Sequence, residues 1–128
     1  MERILVLDDD EAILDALNDA LACLNYRVKT ISDAKRLYDV IEEYKPDLLL
    51  LDFMLPSANG GAICHQIKSN HQIKLPVIIM SGYNDVIDQS EKSGADDFIK
   101  KPFDLFELDE KISTCFNRRS NDALSEYC

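Results

Sequence analysis

Short apolar runs and stretches with helical spacing alternate along the whole chain. Three runs of four consecutive apolar residues are too short for helices and are bounded by acidic residues, Pro or Gly, which predicts strands buried on both faces. These runs are Ile4–Leu7, Leu48–Leu51 and Val77–Met80. The more polar stretches Arg27–Ile31 and Phe98–Lys100 predict strands at the edges of the same sheet.

Between the strands, apolar residues recur three and four positions apart, which predicts five helices. Four stripes are clear, and a weaker one surrounds Val86 and Ile87. The clear stripes include Leu14, Leu17 and Leu21; Leu37, Val40 and Ile41; Ile63, Cys64 and Ile67; and Leu105, Leu108 and Ile112. Ser32 and Asp104 stand where N-caps are expected, and Asp104 with Glu107 has the spacing of a capping box.

This order of elements predicts an α/β fold, because alternating strands and helices form a parallel sheet covered on both faces. With right-handed crossovers and the polar second and fifth strands at the edges, the strand order is 2-1-3-4-5. That is the flavodoxin-like arrangement, a (βα)5 three-layer sandwich with a five-stranded parallel sheet. We expect one domain over residues 1–117, followed by a flexible tail at 118–128 that has no apolar periodicity.

Charge and composition exclude several functions. The formal net charge of −10 would repel phosphate, so neither nucleic acid nor an anionic membrane is expected to bind directly. No apolar run reaches the ~18–20 residues of a membrane span, and the N-terminus lacks a signal-peptide core.

The four cysteines are scattered without a CxxC pair, which excludes a zinc site. Except for the terminal Cys128, they are predicted to be small core residues in a reducing cytoplasm. His65 and His71 are expected at the surface.

Polar residues collect where the predicted strands end. Asp8, Asp9 and Asp10 follow the first strand, Asp52 the third, Ser81 the fourth and Lys101 the fifth. In an open parallel sheet, ligands bind beyond the carboxyl ends of the strands, near the point where the strand order reverses. These side chains are therefore expected to converge on one site.

The predicted site has the chemistry of phosphoryl transfer. Two carboxylates ~4 Å apart repel by about 4 kcal/mol at an effective dielectric of ~20, which a divalent cation relieves. An all-oxygen set with few protein ligands suits Mg²⁺ or Mn²⁺. Lys101 adds a positive charge and Ser81 a hydroxyl donor, both of which suit a phosphoryl group. Asp52 is then the expected nucleophile, because carboxylates form aspartyl phosphates.

Over residues 2–117 the chain resembles the receiver domains of bacterial two-component response regulators. The resemblance rests on Ile-Leu-Val-Leu-Asp8-Asp9-Asp10, Asp52-Phe-Met-Leu-Pro56 with Gly60, Met80-Ser81-Gly82 and Lys101-Pro102-Phe103. It implies that Asp52 accepts a phosphoryl group from the phosphohistidine of a sensor histidine kinase or histidine phosphotransfer protein.

The resemblance also implies the roles of the neighbouring residues. Asp9 and Asp52 would bind Mg²⁺, Asp8 would hold it through water, and the Met54 backbone carbonyl would complete the protein ligands. Lys101 would contact the phosphoryl oxygens, with a cis bond to Pro102. Ser81 would move toward the phosphoryl group and Phe98 would turn inward. Phe98 stands where Tyr is often found, so an output contact that needs a tyrosine hydroxyl is in doubt.

The resemblance further implies a cytoplasmic phosphoprotein in a phosphorelay, either monomeric or weakly dimeric, that catalyses only its own phosphorylation and dephosphorylation. It would switch the face built by the fourth predicted helix, the fifth strand and the fifth helix, for an unknown downstream protein. No output domain follows residue 117, so we expect a stand-alone receiver or an excised N-terminal half of a longer regulator.

Other interpretations stay open at the level of sequence. Taken singly, the acids of Asp8–Asp10 could serve only the first helix, and Asp52 could be a plain strand-ending acid before a turn. A phosphorylation-independent docking module is one alternative function. A haloacid-dehalogenase-like phosphatase is another, because Asp8 and Asp10 have its Asp-x-Asp spacing. Ala12 does not fit that second motif, and Asp52 and Lys101 would be left without roles.

Overall fold

The computed structural model describes residues 2–56, 58–82 and 94–125, with side chains as far as residue 117. Within these ranges, seven strands and four helices follow one another in chain order. The strands are β1 Arg3–Leu7, β2 Arg27–Ile31, β3 Leu48–Asp52, β4 Met54–Leu55, β5 Ala58–Asn59, β6 Val77–Ser81 and β7 Asp97–Lys100. The helices are α1 Glu11–Cys23, α2 Leu37–Tyr44, α3 Gly60–Ser69 and α4 Leu105–Ser125, and a 3₁₀ turn at Ala34–Arg36 leads into α2.

Five of the strands form one parallel sheet in the order β2-β1-β3-β6-β7. Counted within this sheet the order is 2-1-3-4-5, so the predicted flavodoxin-like fold and the two predicted edge strands are confirmed. The short strands β4 and β5 pair with each other as an antiparallel ribbon directly after Asp52. This ribbon brings the chain from the end of β3 into α3.

The central strands are buried on both faces, as their continuous apolar runs predict. Ile4 and Val6 of β1 belong to the apolar core beneath α1 and α4, while Leu5 and Leu7 belong to the core beneath α2 and α3. All five residues of β3 are buried, and so are all five of β6. Two cores on opposite faces of one sheet make the three-layer sandwich.

The helix caps follow one prediction and contradict another. The Asp104 side chain accepts a hydrogen bond from the Glu107 amide (2.7 Å), so the predicted cap of α4 is confirmed. The prediction of Ser32 as a cap is wrong, because Asp33 caps the 3₁₀ turn by accepting a hydrogen bond from the Lys35 amide (2.9 Å). Both residue types cap well, and the tight 3₁₀ entry moves the cap one position along the chain.

The C-terminal helix is longer than the sequence predicts. The helical backbone of α4 continues to Ser125, whereas a tail was expected from residue 118. An apolar stripe marks only the part of a helix that packs on the core, and residues with adequate helix propensity, such as Arg118, Arg119 and Ala123, extend a helix without one. The weaker predicted helix around Val86 and Ile87 lies outside the described residues, as does Cys128.

The cysteines divide between core and surface. Cys64 and Cys115 are buried as predicted, but Cys23 is exposed in the last turn of α1, so its prediction as a core residue is wrong. Cys23 follows buried Leu21 by two residues, which places it on the side of α1 that faces away from the core. His65 and His71 are exposed, as expected. Within residues 2–56, 58–82 and 94–125, no helix has the length and apolarity needed to cross a membrane.

Candidate functional site

The fold gathers four predicted residues at the carboxyl edge of the sheet. Asp52 ends β3, Ser81 ends β6, and Asp8 and Lys101 directly follow β1 and β7. The strand register explains their convergence. Leu7 pairs with Leu51, so Asp8 and Asp52 leave neighbouring strands at the same level. Ser81 pairs with Lys100, which places Lys101 one step beyond it.

The Lys101 ammonium group links two buried carboxylates. Its Nζ donates to Asp8 Oδ2 at 2.7 Å and to Asp52 Oδ1 at 3.1 Å. The Asp8 side chain has no solvent exposure, and that of Asp52 is 7% exposed. Buried acids are stable as ions only when they are paired and hydrogen-bonded. The shared lysine therefore allows two acids to lie side by side at this edge.

Asp9 joins this pair from the solvent side. Carboxylate oxygens of Asp8, Asp9 and Asp52 lie within 4.8 Å of one another, and Asp9 is exposed while the other two are buried. Three hard oxygen donors around a small volume fit a divalent cation such as Mg²⁺, which keeps several water ligands and uses few protein carboxylates. The residues of the predicted cation site are thus brought together.

Burial changes the acidity of the Asp52 carboxyl group. Removal from water raises the pKa of Asp52 to about 6. The hydrogen bond and positive charge of Lys101 oppose this rise, and the negative charge of Asp8 adds to it. Burial alone would lower the pKa of the Lys101 ammonium group, but its hydrogen bonds to Asp8 and Asp52 outweigh burial and raise it. At neutral pH the site holds a charged lysine beside an ionised Asp52.

Backbone contacts hold these side chains in place. The Asp10 amide donates to Asp8 Oδ1 (2.9 Å), and the Asp10 carboxylate accepts from the Ala12 and Ile13 amides as the N-cap of α1. The Lys101 amide donates to the Ser81 carbonyl (2.8 Å), and the Lys101–Pro102 peptide is cis, as predicted. The three consecutive acids therefore differ in use: Asp8 is buried in the site, Asp9 faces solvent and Asp10 caps a helix.

The chain around Asp52 leaves no room for a side chain at Gly60. A β-carbon there would collide with the Asp52 carbonyl and lie 2.8 Å from Phe53 Cα. The Gly60 amide donates to the Phe53 carbonyl (2.9 Å), and Asn59 caps α3 through the Ala62 amide (3.2 Å). The start of α3 thus rests on the backbone of Asp52. Gly60 belongs to a motif of the sequence, whereas Asn59 was not predicted, and its only signal is that Asn commonly caps a helix.

Met54 and the two predicted switch residues lie where the sequence places them. Met54 is 59% exposed in β4, and its backbone amide hydrogen-bonds to the Asp52 carboxylate. Ser81 is buried, and Phe98 is half-buried against the core beneath α2 and α3. Both line a surface hollow of about 280 Å³ together with Glu107 and Lys111 of α4. The roles expected of the Met54 carbonyl, Ser81 and Phe98 stay predictions.

A second polar cluster, which the sequence does not predict, connects α3 to the amino ends of two strands. Lys68 Nζ contacts Asp96 Oδ2 (2.5 Å) and the Leu75 carbonyl (2.9 Å), and Asp96 also accepts from the Val77 amide (2.8 Å). Val77 begins β6 and Asp96 directly precedes β7, the two strands whose other ends lead to Ser81 and Lys101. A single charged residue in a sequence does not indicate which distant residue it will contact in the folded protein.

Comparison with known proteins agrees with this geometry. Residues 4–113 match the family described as the response regulator receiver domain. The chain is 34% identical over 122 residues to the response regulator MprA of Mycobacterium sp. (strain KMS), covering 94% of this chain and 53% of that protein. It is 34% identical over 125 residues to the transcriptional regulatory protein AfsQ1 of Streptomyces coelicolor, covering 96% of this chain and 55% of that protein.

The chain spans about half the length of the curated relatives it matches. Among solved structures, it is similar to a CheY-like response regulator receiver domain protein from Methanospirillum hungatei JF-1. The two are 29% identical with a TM-score of 0.86, and the match covers 95% of this chain and 98% of the other.

Proposed function

Because this chain belongs to the response regulator receiver domain family, we propose that it takes part in phosphorelay signalling by accepting a phosphoryl group on Asp52. The donor would be the phosphohistidine of a sensor histidine kinase or a histidine phosphotransfer protein. The observation that carries this proposal is the Lys101 ammonium group, which contacts the buried carboxylates of both Asp8 and Asp52. The ammonium group that balances the charge of the Asp52 carboxylate can also bind the oxygens of a transferred phosphoryl group.

In the proposed reaction, an Asp52 carboxylate oxygen attacks phosphorus while the bond from phosphorus to the donor imidazole nitrogen breaks. The electron pair of that bond leaves with the imidazole, which takes up a proton, and an acyl phosphate remains on Asp52. Only the ionised carboxylate attacks, so the pKa of about 6 leaves Asp52 competent at neutral pH. Lys101 then pairs with the oxygens of the transferred group, and the Ser81 hydroxyl donates to one of them.

Asp8, Asp9 and Asp52 would hold the divalent cation, with the Met54 backbone carbonyl as a further ligand. Mg²⁺ or Mn²⁺ would neutralise charge on the phosphoryl oxygens. The fit rests on the three carboxylates, whose oxygens lie within 4.8 Å of one another. Without a cation, the single charge of Lys101 faces the negative charges of all three.

Phosphorylation would change the surface beside the site. It replaces one negative charge with about −1.5 to −2 and adds three acceptor oxygens. Ser81 and Phe98 line the same hollow as Glu107 and Lys111, so movement of the two switch residues reaches the face of β7 and α4. We propose that a downstream protein binds this face, and that the chain acts in the cytoplasm and has no enzymatic turnover beyond its own phosphorylation and dephosphorylation.

Intact-mass spectrometry after incubation with acetyl phosphate and Mg²⁺ tests the proposal. Wild type should gain one phosphoryl group, and the gain should disappear without Mg²⁺ or in Asp52→Asn. Asp39→Asn is the matched control, because Asp39 is an exposed acid on α2, away from the site, and this variant should be labelled like wild type. If neither acetyl phosphate nor a histidine kinase labels wild type, the phosphorelay role fails and a phosphorylation-independent docking module replaces it.

A further inference from the structure

Strand β2 lies at one edge of the five-stranded sheet, and among the described strands it pairs only with β1. The Arg27 amide donates to the Glu2 carbonyl (2.9 Å), and the Ile31 carbonyl accepts from the Asp8 amide (3.2 Å). Both hydrogen bonds are directed toward β1. Since only alternate residues of a strand bond to the same neighbour, the odd-numbered residues of β2 are the ones whose backbone groups belong to the sheet.

The two residues between them direct their backbone groups away from the sheet. The N–H and C=O groups of Val28 and Thr30 point outward from the edge, because successive peptide groups of a strand alternate in direction. No described strand pairs with these four groups. An edge of this kind is a template for a further strand. The five residues of β2 extend over about 17 Å at ~3.4 Å per residue, which is room for a short extended peptide.

The side chains of β2 differ between the two faces of the sheet. Ile31 belongs to the core beneath α2 and α3, so Arg27 and Lys29, two and four positions before it, lie on the same face, where both are exposed. Val28 lies on the other face and packs against the core beneath α1 and α4. The edge therefore offers basic groups on one face and an apolar contact on the other.

The segment that begins with β2 is basic, although the protein is acidic. Four bases and one acid give residues 27–36 a net charge of +3, whereas the net charge of the whole chain is −10. All four bases are exposed, and the ion pairs in the described part of the chain involve other residues. The bases are Arg27, Lys29, Lys35 and Arg36.

These charges disfavour a second copy of the chain as the occupant of the edge. Antiparallel pairing of two β2 strands would place Arg27 and Lys29 of one copy opposite the same bases of the other. Like charges directly opposite each other destabilise a strand pair, and lysines on edge strands prevent edge-to-edge association for this reason. A strand that carries carboxylates meets no such repulsion and gains attraction instead.

We propose that the outer edge of β2 binds an extended segment of a partner protein in which acidic residues alternate with apolar ones. The main chain of that segment would pair with the N–H and C=O groups of Val28 and Thr30. Its acidic side chains would lie beside Arg27 and Lys29, and its apolar side chains would lie on the face of Val28. This inference goes beyond the proposed phosphorylation, because strand addition at β2 does not require a modified Asp52.

Amide hydrogen exchange followed by NMR tests this strand addition. The probe is a capped ten-residue peptide in which Glu alternates with Val, and the same peptide with Lys for Glu is its control. In the free protein, the amides of Val28 and Thr30 should exchange much faster than that of Lys29, which bonds to β1. The Glu peptide should slow exchange at Val28 and Thr30 at least tenfold, and the Lys peptide should not.

One modified peptide and two variants separate strand pairing from attraction between charges. The Glu peptide with an N-methyl group on every residue keeps its carboxylates but has no backbone donor, so it should bind at least tenfold more weakly in an anisotropy titration. Lys29→Glu should weaken binding of the unmodified Glu peptide about tenfold. Lys74→Glu makes the same charge change at an exposed residue outside β2 and should have a much smaller effect. Asp52→Asn should bind like wild type, which separates this result from the phosphorylation test.

Four results would overturn the proposal. Equal weakening by Lys29→Glu and Lys74→Glu would mean nonspecific attraction, and undiminished binding of the N-methylated peptide would exclude strand pairing. Absence of binding by the Glu peptide would mean that the basic edge serves only to prevent self-association. Slow exchange at Val28 and Thr30 in the free protein, together with a concentration-dependent dimer in sedimentation, would assign the edge to a second copy of the chain.

Discussion

At the carboxyl group of Asp52, burial of the side chain opposes the ionisation that its proposed chemistry requires. The side chain must be ionised to act as a nucleophile, yet it lies almost entirely out of water and beside a second buried acid. Lys101 reduces the cost of that ionisation without removing it, because the pKa of Asp52 still rises to about 6. The reactive residue is therefore also one that lowers the stability of the fold.

We expect Asp52→Asn to stabilise the protein at pH 7 in metal-free buffer by about 1–3 kcal/mol, since each pKa unit corresponds to 1.36 kcal/mol. The folded-state pKa is raised above the ordinary aspartate value of 3.8, so wild-type stability falls as pH rises from about 4 to about 6 and is then constant. Asn stays neutral and escapes this fall. Urea denaturation at pH 7 and at pH 3.5 measures the difference, which should vanish at the lower pH; equal stabilities at pH 7 would contradict it.

The residues of the site could be predicted because each stands at the end of a predicted strand, three of them after clear apolar runs and Lys101 after a more polar edge strand. Asp8, Asp52, Ser81 and Lys101 needed only the rule that parallel strands end at one edge. The detailed roles of Asp9 and Asp10 could not be separated in this way, because three consecutive acids look alike in sequence. Only the backbone directions after β1 decide which of them is buried, which faces solvent and which caps α1.

At the scale of single elements, α1 links the helix cap to the site. Asp10 begins the helix through its side chain and, through its backbone amide, fixes Asp8. Its neighbour Asp9 is exposed and contributes only to the carboxylate cluster. Adjacent residues of the same type therefore serve stability and cation binding separately.

Alanine substitutions should separate these two contributions. Asp10→Ala removes the acceptor of the Ala12 and Ile13 amides and should lower the free energy of unfolding by about 1 kcal/mol, with Mg²⁺ binding retained. Asp9→Ala should change metal-free stability by less than about 0.5 kcal/mol but abolish the rise in Tm that Mg²⁺ produces. Thermal denaturation with and without Mg²⁺ checks both. Loss of metal-free stability in Asp9→Ala, together with loss of the Mg²⁺ effect in Asp10→Ala, would contradict these assignments.

Other features of the elements depend on contacts that a sequence does not display. The interior strands were predictable because burial on both faces imposes a continuous apolar run. The end of α4 was not, because a helix can continue through polar residues once packing of its earlier turns has formed it. The Lys68–Asp96 contact joins residues 28 positions apart, and only the folded topology brings α3 to the amino ends of β6 and β7.

On the scale of the whole molecule, Lys101 connects the two edges of the site across the sheet. It follows the edge strand β7, yet its side chain reaches acids at the ends of β1 and β3. Between these strands lies β6 with Ser81. The lysine thus joins the last part of the chain to the first.

Lys101→Met should destabilise the protein by about 3–5 kcal/mol without metal, because it leaves Asp8 and Asp52 buried without a cation. The pKa of Asp52 should rise further above about 6, and Mg²⁺ should restore part of the lost stability. Lys111→Met is the control, since its ion pair with Asp97 is partly exposed and contributes less than about 1 kcal/mol. Chemical denaturation of both variants measures the contrast, and equal losses would contradict it.

The bridge made by Lys101 means that the site needs residues from nearly the whole length of the chain, from Asp8 to Lys101. A chain divided anywhere between Gly82 and Gly94 would leave the three carboxylates and Ser81 on one piece and the ammonium group on the other. The two pieces would also part β6 from β7, whose pairing aligns Ser81 with Lys100. Recovery of phosphoryl acceptance on mixing such pieces would report their reassembly, so the protein is suited to serve as a split reporter of proximity between two fused partners.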